Sequence, residues 1–198
     1  VLFRSQGCTL ADILLGKVNP SGKLNVSFPR STGNTPCFYN HFVTDREESF
    51  DQPGTPEEPK GHYIFDKPEP LWNFGHGKSY TTFDYVDCAL SDTLLVASDT
   101  LKVSVTIKNT GRRDGKEVVQ LYVRDKVSTV ATPIQQLKAF QKVLIKPGES
   151  QCVELSLPIA ELALYNAKME EVVEPGDFEI QIGAASDDIR FKKTITIN

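Results

Sequence analysis

The sequence predicts a mainly β chain, an antiparallel β-sandwich of immunoglobulin or fibronectin type III kind preceded by the C-terminal tail of an α/β sandwich domain. Three observations carry this. From Tyr85 onward, apolar and polar residues alternate with period two in about seven short segments, bounded by turn residues at intervals of roughly 8–12 residues. Before that point the text reads helix, turn, strand. Between the halves lies Pro70–Phe83, PLWNFGHGKSYTTF, rich in aromatics, glycines and hydroxyls.

Taken in order, the opening residues VLFRSQ share no periodicity with the segment after them; they read as a truncation point or assembly scar and are set aside from fold reasoning. Gln6–Gly16 places Leu10, Ile13 and Leu14 at helical spacing, and Gly16 is a helix stop. Asn19-Pro20-Ser21-Gly22 is a turn signal. Leu24, Val26 and Phe28 then alternate with polar residues, which predicts a short strand ended by Pro29. One helix and one strand cannot bury their own faces, so this piece reads as the end of a larger domain.

Ser31–Pro70 is a long irregular segment crowded with Asp45, Glu47, Glu48, Asp51, Glu57 and Glu58 and stiffened by prolines. Loops of this length are usually functional or embellishments. Its aromatics, Phe38, Tyr39, Phe42, Phe50, Tyr63 and Phe65, predict that it is packed. Pro70–Phe83 is expected to be a packed inter-domain hinge: Gly75 and Gly77 permit backbone conformations closed to other residues, and Trp72, Phe74, Tyr80 and Phe83 supply apolar area. Strands are predicted at Leu101–Ile107, Val118–Val123, Leu137–Ile145, Cys152–Leu157, Phe178–Ile182 and Phe191–Ile197, separated by turns such as Asn109-Thr110-Gly111 and Lys146-Pro147-Gly148-Glu149. The expected division is residues 1–84 and 85–198.

With 198 residues, 39% hydrophobic and 24% charged, the chain is of ordinary globular composition and holds one to two domains. A net charge of -4 excludes nucleic acid as an expected partner, since phosphate contacts need a basic face. No apolar run approaches the roughly 20 residues of a membrane span, so no membrane partner is expected. No secretory signal is legible in Val1–Gly7. The four cysteines, Cys8, Cys37, Cys88 and Cys152, form no CxxC pair and are expected to be free buried thiols.

Sequence motifs for chemistry are sparse. Gly16–Lys23 fails as a phosphate loop, because five residues separate its glycines and Leu24 stands where Ser or Thr is needed. His41, His62 and His76 share no metal-binding spacing, so no metal is expected, and Ser/His/Asp catalysis has no support because no GxSxG is present; no cofactor is expected. Paired carboxylates cleave glycosidic bonds, but Glu47-Glu48 and Glu57-Glu58 read as a solvated face. Asn25-Val26-Ser27 matches a glycosylation sequon inside the predicted strand.

Four blocks in order and spacing, Ala11–His41, Pro70–Tyr85, Val105–Asp125 with Pro133–Ser150 following, and Val172–Arg190, resemble the C-terminal end of glycoside hydrolase family 3, most closely its β-glucosidase group. The resemblance spans nearly the whole chain. It implies an architecture of barrel, α/β sandwich domain and fibronectin type III-like domain, of which this chain holds the end of the second and all of the third. It implies a retaining double displacement, with a barrel aspartate as nucleophile and a glutamate upstream of Ala11 as acid and base. No catalytic residue is therefore expected here. The implied partners are a β-linked oligosaccharide or glucoside in the parent enzyme and the upstream domains, and the implied location is periplasmic or secreted. Phe38, Tyr39, His41 and Trp72 are the candidate substrate-binding residues, since aromatic faces stack on sugar rings and their segment can lean toward the active-site mouth.

These residues admit two readings. In the first the chain is the C-terminal part of a β-glucosidase, inert alone, with a stable sandwich and a protease-sensitive N-terminal third. In the second it is a self-standing glycan- or protein-binding module. The helix and strand at Leu10–Phe28, apolar and without a partner, favour the first.

Overall fold

The computed structural model describes residues 6–42, 55, 56, 67 and 69–198. Period-two alternation becomes two packed sheets. The smaller sheet has the order β1 (Phe83–Leu90), β3 (Thr100–Asn109), β6 (Ser150–Pro158), all antiparallel. The larger has the order β2 (Leu94–Leu95), β10 (Asp188–Ile197), β9 (Gly176–Ala185), β4 (Gly115–Asp125), β5 (Gln136–Ile145), antiparallel except where β2 lies parallel to β10. A short ribbon, β7 (Leu164–Tyr165) with β8 (Glu171–Val172), stands apart.

Register sets the core. On β3, Leu101, Val103, Val105 and Ile107 are buried, and the first three face Leu157, Leu155 and Val153 of β6. Val119 and Leu121 of β4, Ile180 and Ile182 of β9, and Ile195 and Ile197 of β10 close the core from the other sheet. Such inward residues each contribute about 1.5–3 kcal/mol on burial. Asn109 is the polar exception: its amide donates to the carbonyls of Arg113 and Ile145, both at 2.8 Å, and its Oδ1 accepts from Gly111 N–H and the Thr81 hydroxyl. A fully satisfied buried amide of this kind fixes the β3–β4 turn.

The N-terminal part differs from expectation at the predicted strand. Helix α1 (Gln6–Leu14) forms as expected, and Gly16 ends it at φ +71°, the left-handed conformation that favours glycine. The predicted strand at Leu24–Phe28 does not enter a sheet. It runs as an irregular ribbon against residues 71–76 through Leu24 N–H to His76 carbonyl (2.8 Å), Gly75 N–H to Leu24 carbonyl (2.7 Å) and a lone bridge between Phe28 and Trp72. Alternation specifies a strand only where a sheet edge receives it; here the partner is the glycine-containing loop. Asn25 of the sequon is exposed on a bend of this ribbon.

The cysteines are free, but of the four only Cys88 is buried; Cys8 and Cys152 are exposed. Cys152 precedes the inward Val153, Leu155 and Leu157 of β6 and so lies on the outward side, and Cys8 sits on the uncovered helix. The expectations for Phe50, His62, Tyr63, Phe65 and the acidic run at residues 45–58 lie outside the described residues.

Pro70–Phe83 is a clamp of many contacts. The Tyr80 hydroxyl donates to the Ile13 carbonyl at 2.9 Å, and Arg113 lies over the Tyr80 ring and donates to the Gly16 carbonyl at 2.8 Å. Asn19 accepts from Ser79 Oγ and Tyr80 N–H and donates to the Asp114 carbonyl. These bonds hold the end of α1, but the helix has nine residues, fewer than the ~12–15 at which an isolated helix becomes marginal, and Leu10, Leu14 and Leu15 are exposed. Native-state hydrogen exchange on this chain should therefore show Ala11–Leu14 exchanging by local opening, while β3 and β4 exchange only by global unfolding. Equal protection of the two would contradict this.

Candidate functional site at the joint

The four candidate aromatic and imidazole residues fall into separate groupings. Tyr39 stacks on Phe74 (centroids 4.1 Å apart) and meets Tyr122 edge-on at 6.0 Å. Its hydroxyl accepts from Leu137 N–H at 3.2 Å. The His41 carbonyl accepts from Ile134 N–H at 2.9 Å, and Phe42 bridges Pro133. Residues 39–42 are thus sewn to the β4–β5 connection. Trp72 pairs edge-on with Phe28 at 5.8 Å and is 46% exposed; Phe38 is 64% exposed. Phe38 and Trp72 stay exposed, whereas Tyr39 has committed its ring to packing.

The loop between the groupings is gripped on all sides. Gly75 has φ +81°, and a Cβ there would collide with the Gln120 amide. Gln120 accepts from the buried Tyr122 hydroxyl at 2.6 Å and donates to the Ala184 and Gly75 carbonyls. Asn73 donates to Asp187 at 2.8 Å, and Ser186 N–H to the Phe74 carbonyl at 3.0 Å. A Cβ on Gly77 would fall 2.5 Å from the Gly22 carbonyl oxygen, so the turn before Lys23 and the loop touch backbone to backbone.

A polar cluster outside the candidates drawn from the sequence lies beside this loop. Glu117 of β4 is 6% exposed and pairs with Lys23 at 3.2 Å, across the joint. The Tyr85 hydroxyl of β1 donates to the same Glu117 oxygen at 3.3 Å. Arg190 stands over the Tyr85 ring and holds Asp188 by Nε at 2.6 Å. Burial pushes the Glu117 carboxyl up, against the opposing pull of the Lys23 ammonium. Burial, then the Glu117 charge, push the Tyr85 phenol up. These groups border a cavity of about 370 Å³ at one end of the sandwich, under residues 76–81. The signal in the sequence is Glu117 itself, a carboxylate at the inward parity of Val119 and Leu121.

Among the described residues, no group of three or more His, Cys, Asp or Glu could hold a metal ion, and no helix is long and apolar enough to cross a membrane.

Comparison with known proteins places these features. Residues 4–80 match the glycosyl hydrolase family 3 C-terminal domain, and residues 117–186 a fibronectin type III-like domain. A periplasmic β-glucosidase of Salmonella typhimurium is 40% identical over 183 residues, which cover 91% of this chain and 23% of that protein. A β-xylosidase of Formosa agariphila is 41% identical over 93% of this chain and 24% of its own length. Among solved structures, the β-glucosidase from Listeria innocua in complex with isofagomine superposes with a TM-score of 0.84 at 38% identity, covering 95% of this chain and 26% of that one. The chain thus spans about a quarter of the length of these relatives.

Proposed function

We propose, because this chain belongs to glycoside hydrolase family 3, that it forms the C-terminal part of a retaining β-glucosidase acting on terminal non-reducing β-D-glucosyl residues. Its own role is to brace the domains that hold the catalytic carboxylates. The observation that carries this reading is the set of large apolar side chains left uncovered around the joint: Leu10, Leu14, Leu15, Val26, Phe28 and Leu71 are all exposed. An exposed apolar set of this kind on a soluble chain marks a surface that another domain covers. The sandwich, residues 85–198, buttresses residues 1–84 through the clamp around Pro70–Phe83, and residues 1–84 meet the upstream α/β domain through these apolar side chains.

In this assignment the nucleophilic aspartate and the acid–base glutamate are supplied by upstream domains, and this chain supplies neither. Phe38 and Trp72 offer their exposed rings toward the sugar; Tyr39 and His41 hold the segment that presents Phe38. The parent works in the periplasm or outside the cell, on β-linked glucosides. A xylosyl glycone is the second reading, favoured by the 41% identity to the Formosa agariphila β-xylosidase.

The test is a chimaera in which this chain replaces the matching C-terminal quarter of the Listeria innocua β-glucosidase. The expected result is hydrolysis of an aryl β-D-glucoside by the chimaera and none by this chain alone. Turnover by the purified chain, or a folded chimaera that is inert, would refute the assignment. An aryl β-D-xyloside in the same assay decides between the two glycones.

A further inference from the structure

The cavity at the end of the sandwich has the size of a ligand pocket, about 370 Å³. It is lined by Phe83 and Tyr85 of β1 in one sheet, by Glu117 of β4 and the turn between β9 and β10 in the other, and by the 76–81 loop. Its charged lining is balanced: Glu117, Asp187 and Asp188 against Lys23, Lys78 and Arg190. A balanced lining gives no net field to hold either an anion or a cation. It does bring both hydrogen-bond acceptors and donors to one cavity, and a hydroxyl group, at once donor and acceptor, can use both.

One group in the cavity is left incomplete. Glu117 is buried, and both of its hydrogen bonds, from Lys23 Nζ and Tyr85 Oη, arrive at Oε1. Oε2 accepts from no described residue. A buried carboxylate oxygen without a donor carries the full cost of its desolvation, which a donor from water or from a ligand in the cavity would remove. Glu117 lines the cavity, so a donor can reach it from that side. Phe83, half-buried, gives the same cavity an aromatic wall against which the C–H face of a ring can pack.

We propose that this cavity is a binding site for a neutral polyhydroxylated ligand of monosaccharide size, with a ligand hydroxyl donating to Glu117 Oε2. The site lies within this chain and needs no turnover to be observed. Its test is therefore separate from that of the glycosidase assignment.

The experiment is a titration of the full chain with D-glucose, followed through backbone amide resonances. Saturable shifts are expected at His76–Thr81 and Asp187–Arg190, with an affinity in the millimolar range. Glu117→Gln keeps the shape but removes the charged acceptor, and should weaken binding roughly tenfold. Lys78→Ala, at the exposed rim and remote from the core, should weaken it severalfold and serves as the second variant if Glu117→Gln does not fold. Absence of saturable shifts, shifts spread evenly over the surface, or unchanged affinity in the folded variants would overturn the proposal. Sodium sulfate is the charge control: sulfate shifting the same amides in place of glucose would overturn the neutral-ligand assignment.

Discussion

Replacing Lys23 by methionine is expected to cost about 3 kcal/mol of folding stability at neutral pH and much less in acid. The Lys23 and Glu117 side chains are only 17% and 8% exposed, so the pair is buried and the loss of one member strands the other. With Lys23 present, burial already raises the Glu117 carboxyl, and the ammonium is the largest influence holding it down. Without Lys23 it rises further. A group whose folded pKa lies above its unfolded value favours folding below the unfolded pKa and loses that contribution as pH climbs through the folded one. The penalty in Lys23→Met should therefore be small where Glu117 is protonated and grow to its full size toward neutrality. Urea midpoints at acid and neutral pH measure this directly. The double variant Lys23→Met with Glu117→Leu should recover most of the loss, because it removes the stranded charge as well. A pH-independent penalty would show that Lys23 acts by packing alone.

This pair also illustrates what the amino-acid sequence discloses and what it conceals. The sandwich strands were legible because an antiparallel sheet with one buried face writes its register as alternation: Leu101, Val103, Val105 and Ile107 point inward, as their spacing predicts. The run Val118–Val123 departs from alternation, and the structure gives the reason. Tyr122 and Gln120 face outward from β4 but are covered by Tyr39, Phe74 and Gly75, so this stretch is buried on both faces. Two-sided burial erases the period-two signal. It also marks where residues 39–42 and 72–76 dock.

The Leu24–Phe28 pattern misled for the opposite reason, since alternation reports side-chain preference and not the presence of a neighbouring strand. The short β2, β7 and β8, each of two residues, carry too little pattern to be read at all. At the joint, single residues such as Trp72 and Tyr39 were visible as aromatics. Their pairings with Phe28 and Phe74 join segments 44 and 35 positions apart, as the numbering of each pair gives by subtraction. The Lys23–Glu117–Tyr85 cluster was illegible because it assembles three distant segments, each ordinary by itself. Only the inward parity of Glu117 hinted at it.

Tyr122→Ala should cost about 3–5 kcal/mol, the range for truncating a large buried aromatic. Tyr122 is fully buried, and the loss has three components. The ring leaves a cavity under Tyr39. The hydroxyl's bond to Gln120 at 2.6 Å goes, and Gln120, itself buried, is left short of a donor. Gln120 also holds the Gly75 and Ala184 carbonyls, so the clamp loop loosens with it. Tyr122→Phe removes the second component and keeps the ring in place, and should cost about 1 kcal/mol. The pair of variants separates the grip of the ring on residues 39–42 from the grip of the hydroxyl on residues 72–76. In Tyr122→Ala, amide resonances of Tyr39–Phe42 and Asn73–His76 should move together, whereas in Tyr122→Phe only the second set should. A Tyr122→Ala variant with a denaturation midpoint close to that of the parent chain would mean that the sandwich stands without its outer cover. The joint would then be a tether and not a brace, and the proposed role of residues 85–198 as a buttress would lose its physical basis.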